Sequence, residues 1–205
     1  MKKIKYLALF LITFVTFIIV GCDATSNTLD DLNKAIANVE IASQQTDYQE
    51  ISELVVEEAT PMSMSFTELE LNPLQEFIDL RKSFLENHLL LQTQRLTFQL
   101  NKEELRSLIS LFKDSDLQLS EQDKEIIKEK IELFRSYRQE FLDTKGLAYL
   151  RIYNLKDQYK IEDIEMINQT ISEVNEVLLL RITLFEKTNQ DIEEIIAVLR
   201  GYTEI

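Results

Sequence analysis

The sequence predicts an all-α protein, an elongated antiparallel bundle of three to four long helices with coiled-coil-like packing. Three observations lead there. The 205 residues include only 3 glycines and 2 prolines, too few for the turns that strand proteins need every ~8–12 residues. Apolar residues recur at helical spacing along several long stretches. Cap signals at Asn72, Ser120 and Gly201 punctuate those stretches. A chain of this length suits one domain with its own core.

The N-terminus stands apart from this pattern. Residues 1–22 read MKKIKYLALFLITFVTFIIVGC: a basic start, then fifteen uncharged residues from Tyr6 to Val20, then the small Gly21. That three-part layout is a secretory signal, and the apolar run falls short of the ~20 residues of a comfortable membrane span. The alternative is an uncleaved N-terminal anchor helix. The run ends at Cys22, the only cysteine in the chain.

The four residues Ile19, Val20, Gly21 and Cys22 resemble the lipobox of bacterial lipoproteins at every position. The resemblance implies that Cys22 receives a diacylglycerol and becomes the first residue after cleavage. It therefore implies a removed signal over 1–21, a lipidated cysteine and polar tether over 22–27, and a helical bundle domain over 28–205. Two acyl chains anchor stably where one is marginal. Asp23 directly after the cysteine resembles an inner-membrane retention signal. The expected location is thus the outer face of the bacterial cytoplasmic membrane, with the membrane itself a partner through the lipid on Cys22.

Four segments follow. From about Thr28 to Ala59, Leu29, Leu32, Ile36 and Val39 step along one helix face, and Thr46 or Asp47 offers a cap for a new start. Residues 60–72 hold a proline and no period, and read as a loop. Asn72 as N-cap, Pro73 in the first turn and Glu76 behind them open the second helix. It carries Leu74, then Phe77, Phe84, Leu91, Phe98, Leu105 and Phe112 every seven residues, with Asn101 a site for a kink and restart. Ser120 caps the third helix, whose stripe runs from Ile127 and Ile131 through Phe134 and Phe141 to Tyr159, with Gly146 inside it.

The last helix begins near Glu162, carries a stripe from Ile164 to Leu199, and stops at Gly201, where a C-terminal cap belongs. A helix of roughly 38 residues is about 57 Å long, and such helices with short connections pack antiparallel.

Charge narrows the function. The formal net charge is −14, and three lysines sit in the first five residues, so the rest is more acidic still. Such a chain repels nucleic-acid phosphates, and no nucleic-acid partner is expected. Residues 23–72 hold eleven acidic side chains and one base, Lys34. That strip reads either as the weakest-packed helix or as a partner-facing surface.

The residue types that carry chemistry are sparse. His88 is the only histidine and no glycine-containing elbow surrounds a serine, so catalytic residues are expected to be none. Three scattered glycines build no phosphate loop. A di-iron bundle needs Glu-x-x-His pairs, and Leu85 stands three before His88. The stretch Asp114–Glu125 resembles a calcium EF-hand loop at Asp114, Asp116, Gln118 and Glu125. Leu119 stands where the sharp turn needs Gly, and Glu121 where an aliphatic belongs. A helix–helix loop capped by Ser120 with Asp123 three residues on is the preferred reading, and no metal or cofactor is expected.

His88 falls on the apolar stripe between Phe84 and Leu91, which suits a partly buried, hydrogen-bonded imidazole or a pH-responsive contact. Asn189, between Phe185 and Ile192, reads as a register-setting polar residue. Tyr149 and Tyr153, one turn apart, read as core or rim packing, with a glycan platform the alternative.

The body resembles small helical lipoproteins of Gram-positive bacteria assigned to cell-wall binding, in size, lipobox and helix content. The expected function is a non-catalytic binding, spacer or scaffold module at the cell envelope, with an envelope protein or the cell wall as partner. The alternative is a ligand-binding or sensing lipoprotein that serves a membrane transporter.

Overall fold

A computed structural model describes residues 25–44, 71–115, 117–161 and 164–203. They form four helices: α1 (25–43), α2 (Leu71–Asp114), α3 (Glu121–Ile161) and α4 (Ile164–Thr203). The signal, Cys22 and the 60–72 loop up to residue 70 lie outside the described residues. Among the described residues no helix is long and apolar enough to cross a membrane.

The links after α2 and α3 are short, so the chain runs up, down and up again, and α2 and α4 lie parallel. Asn168, Asn175 and Asn189 of α4 donate to the backbone carbonyls of Pro73, Leu80 and Gln94 of α2 at 2.8, 3.2 and 3.1 Å. Each pair is separated by 95 positions in sequence. One constant offset over three turns of a seven-residue repeat is the signature of two helices held in register. On the other side α3 runs antiparallel to α4, with Lys130 on Asp191 at 2.6 Å and Arg151 on Glu173 at 3.1 Å.

The central element is α4, which packs along both α2 and α3. Its position explains its sequence. Two seven-residue series, Ile171–Leu178–Phe185–Ile192–Leu199 and Ile167–Val174–Arg181–Thr188–Ile195, are both buried, so most of its circumference is covered. Phe185 is the hub: its ring meets Phe98 of α2 at 5.8 Å and Phe141 of α3 at 4.8 Å. Offset and edge contacts of this kind add about 0.5–1.5 kcal/mol to burial alone.

The first helix covers only the half of the bundle nearest the α2 C-terminus. Its buried face is Leu29, Leu32, Ala35, Ile36, Val39 and Ala42. Asp30 pairs with Lys113 and Glu40 with Lys102, which sets α1 antiparallel to α2.

Several boundaries differ from those read in the sequence. Thr25, Ser26 and Asn27, assigned to the tether, are already helical, and the buried Thr25 and Thr28 side chains show why: packing reaches them. Helix α2 starts at Leu71, so Asn72 lies inside its first turn, and it passes Asn101 unbroken. Asn101 instead reaches across to Glu193 at 3.1 Å. Gly201 does not end α4, which continues to Thr203. The extra turn is held by Tyr202, whose ring meets Phe112 at 5.6 Å and whose hydroxyl accepts from the Ser120 amide at 2.9 Å.

Candidate functional site: the notch at the end of the first helix

Helix α1 stops at residue 43, partway along the bundle, and its end leaves a notch. The cleft, about 300 Å³, lies between Glu40, Ser43 and Gln44 of α1 and Arg95, Phe98 and Gln99 of α2, with Phe185 at its floor. That is the lower end of small-molecule sites.

Beneath the notch lies Arg181, 1 % exposed. Its guanidinium donates to the Ser43 carbonyl at 2.9 Å, to the Phe141 carbonyl at 3.2 Å and to the Thr144 hydroxyl at 3.0 Å. It also stands 5.2 Å from the centre of the Phe141 ring. The last carbonyls of a helix lack intrahelical partners and carry the negative end of its dipole. A buried cation there closes α1 and ties it to α3 and α4 at one point. Above it, Glu40 accepts from Lys102 and lies 3.9 Å from Arg106, so its charge is already engaged.

Arg95 is therefore the cation facing the opening. It acts on a second residue too. Burial first, then the charge of Arg95, lowers the His88 pKa and keeps the imidazole neutral at pH 7. His88 stacks on Phe84 at 6.1 Å and its Nε2 lies 2.8 Å from the Gln92 amide nitrogen. The partly buried, hydrogen-bonded reading of His88 fits this placement.

A second polar cluster links α3 to α4. Asp191 is buried and accepts from Lys130 at 2.6 Å and from the Tyr137 hydroxyl at 3.0 Å. Lys130 also meets Glu194 at 2.5 Å. Burial pulls the Lys130 pKa down, but its hydrogen bonds to Asp191 and Glu194 outweigh that and leave it raised. Burial and the Asp191 carboxylate push the Tyr137 hydroxyl up to about 12. This cluster is a closed set of charges, each occupied by another.

The remaining sequence candidates fall apart from the notch. In the Asp114–Glu125 stretch, Ser120 Oγ accepts from the Asp123 amide at 3.1 Å and donates to the Asp123 carboxylate at 2.5 Å. Tyr202 donates to the same carboxylate. Asp123 thus serves a helix cap, and Leu119 is buried as an anchor. Among the described residues no three His, Cys, Asp or Glu side chains converge to hold a metal ion. Asn189 sets register as read, joined by Asn168 and Asn175. Tyr149 and Tyr153 belong to α3, and their side chains lie outside the described residues.

Arg181 was missed, although a visible signal existed: a full charge seven residues after Val174 on a buried stripe. Asn168 and Asn175 gave the same kind of signal, polar residues at seven-residue spacing from Asn189. The arrangement can seat a small polar or anionic group against Arg95. No family pattern matches the chain, and no curated protein and no solved structure shows significant similarity to it.

Proposed function

We propose that the protein is a lipid-anchored, extracytoplasmic helical bundle that acts as a non-catalytic binding, spacer or scaffold module at the bacterial cell envelope. The observation that carries this reading is the complete Ile19-Val20-Gly21-Cys22 motif closing a fifteen-residue uncharged run. The body suits such a role. Helix α2, 44 residues long, spans about 66 Å, and the three asparagine contacts hold it rigidly beside α4. Charges facing one another across the helices are paired, as in a strut rather than a reaction centre.

The test is Cys22→Ser in cells. The protein should leave the membrane fraction or persist with its signal attached, and it should lose the diacylglycerol mass. A substituted protein that stays membrane-bound at mature size would overturn the anchor.

The notch supports a second reading, a ligand-binding lipoprotein that serves a transporter, because Arg95 lines a cleft of about 300 Å³. A bound small molecule in native mass spectra of the purified protein, lost on Arg95→Gln, would favour it over the scaffold.

A further inference from the structure

Helix α2 carries a second apolar stripe besides the one it buries. The core side carries Phe77, Phe84, Leu91, Phe98, Leu105 and Phe112, all buried. The outer side carries Ile78, Leu85, Leu89, Leu96, Leu100 and Leu111, which are 38–65 % exposed. These six are not scattered. Ile78, Leu89, Leu100 and Leu111 recur every eleven residues, as do Leu85 and Leu96. Eleven residues make about three turns, so the six fall along one side of the helix, roughly 100–160° round from the nearest core residues.

Six such side chains, about half exposed, present on the order of 300 Å² of contiguous apolar surface. A patch of that size is typical of the largest on a monomeric protein, and such patches are often functional. Two copies laid together remove on the order of 600 Å² of it, which with the flanking side chains makes an interface of the small, transient class.

We propose that this stripe is a self-association surface on which two copies of the chain pair through antiparallel α2 helices about a two-fold axis. The charges on the stripe decide the direction. Lys82 lies near its start and Glu103 near its end. Lys82 is exposed, with only a 3.9 Å approach to Glu86 on its own helix. Parallel pairing sets Lys82 against Lys82 and Glu103 against Glu103. Antiparallel pairing about a point between Gln92 and Thr93 sets Lys82 against Glu103 of the second copy. The same register sets Leu85 against Leu100, Leu89 against Leu96 and Ile78 against Ser107. One register thus satisfies both the apolar and the charged positions, as an isologous interface requires.

The test uses the full chain with Cys22→Ser, purified in mild detergent, so that introduced cysteines are the only thiols. Thr93→Cys, beside the axis, should form a disulfide with its own copy under mild oxidation. A mixture of Leu85→Cys and Leu100→Cys chains should cross-link as mixed pairs, whereas Leu85→Cys alone should not. Lys82→Glu should weaken dimerisation at least tenfold at low salt, and adding Glu103→Lys should restore it. Leu89→Glu, at an exposed position, should give a monomer with unchanged circular dichroism. Two results would overturn the proposal: a monomeric sedimentation mass at about 100 μM, or self-linking of Leu85→Cys in a parallel register.

Discussion

Asparagine inside a helix bundle is costly, and the three on α4 are not equivalent, which makes a sharp test. Asn189 is 4 % exposed and uses only its amide nitrogen, donating to the Gln94 carbonyl at 3.1 Å and the Gln94 side chain at 3.0 Å. Its Oδ1 is buried with no hydrogen-bond partner. Asn175 uses both ends: Nδ2 donates to the Leu80 carbonyl and Oδ1 accepts from Asn87 at 3.4 Å.

Leucine has nearly the shape of asparagine, so Asn→Leu tests polarity with little change in volume. At position 189 the change forfeits two hydrogen bonds worth about 1 kcal/mol each. It also removes a buried orphan acceptor, worth about 1–3 kcal/mol, and buries a leucine side chain for about 1.5–3 kcal/mol. Gln94 keeps its backbone bond within α2 and turns its amide to water. The balance is a gain of about 1–2 kcal/mol. At position 175 no orphan is relieved and Asn87 loses its acceptor, so the same change should be neutral or cost about 1 kcal/mol. Urea unfolding of both variants checks the pair, and for a chain of this size Asn189→Leu should raise Tm by about 2–8 °C. A fall in the urea midpoint for Asn189→Leu, or equal effects at both sites, would refute the accounting.

Three further predictions follow from other contacts. Tyr137 is raised from an ordinary 10.0 to about 12, so the fold favours its protonated hydroxyl. Its contribution is full below pH 10 and is lost as pH rises from 10 to about 12, and the contribution of Lys130, also raised, is likewise lost on the alkaline side. Tyr137→Phe should cost about 1 kcal/mol at pH 8 and flatten the alkaline fall in urea midpoint. Ser120→Ala should cost about 1 kcal/mol. The Asp123 pKa, held low by its hydrogen bonds from Ser120 and then Tyr202, should rise toward the ordinary range in an NMR titration. Gly201 is helical, with nothing within 4 Å of an added Cβ, so Gly201→Ala should stabilise by about 0.5–1 kcal/mol in thermal melts.

What the sequence disclosed follows the physics of period. Burial repeats, so the periodic apolar series of α2 and α4 mark most of the core, Phe84 and Phe185 among them, while Ile109, Val177 and Leu184 lie off those series and are buried as well. Caps are local, and Ser120 with Asp123 was legible for the same reason. Tertiary override was not legible. Gly201 looks like a terminus until Tyr202, one residue on, finds Ser120 and Asp123 across the bundle. Asn101 looks like a restart until Glu193 accepts from it. The notch was beyond reach altogether, because it is made by where α1 stops and by Arg181, whose bond to Ser43 spans 138 residues.

The molecule places asparagine and arginine inside and leucine outside, each against the simplest pattern for a stable bundle. Natural chains break local rules where another requirement acts. The two departures occupy different faces of the α2–α4 pair and answer different requirements. The seven-residue apolar series of α2 and α4 would look alike after a shift of one heptad, and leucine at every position would leave the choice to the short links alone. Asn168, Asn175 and Asn189 remove that degeneracy through side-chain partners, since only the 95-residue offset brings them to the Glu76, Asn87 and Gln94 side chains. Arg181 does the equivalent for α1, which has no covalent short link to the rest. The leucines on the outer stripe of α2 stand 38–65 % exposed together with Ile78, and their eleven-residue spacing suits a surface laid along that helix. The two periods are independent, since a seven-residue and an eleven-residue series drift in opposite senses around a helix: the first is set against α4, and the second is left for a surface beyond the bundle.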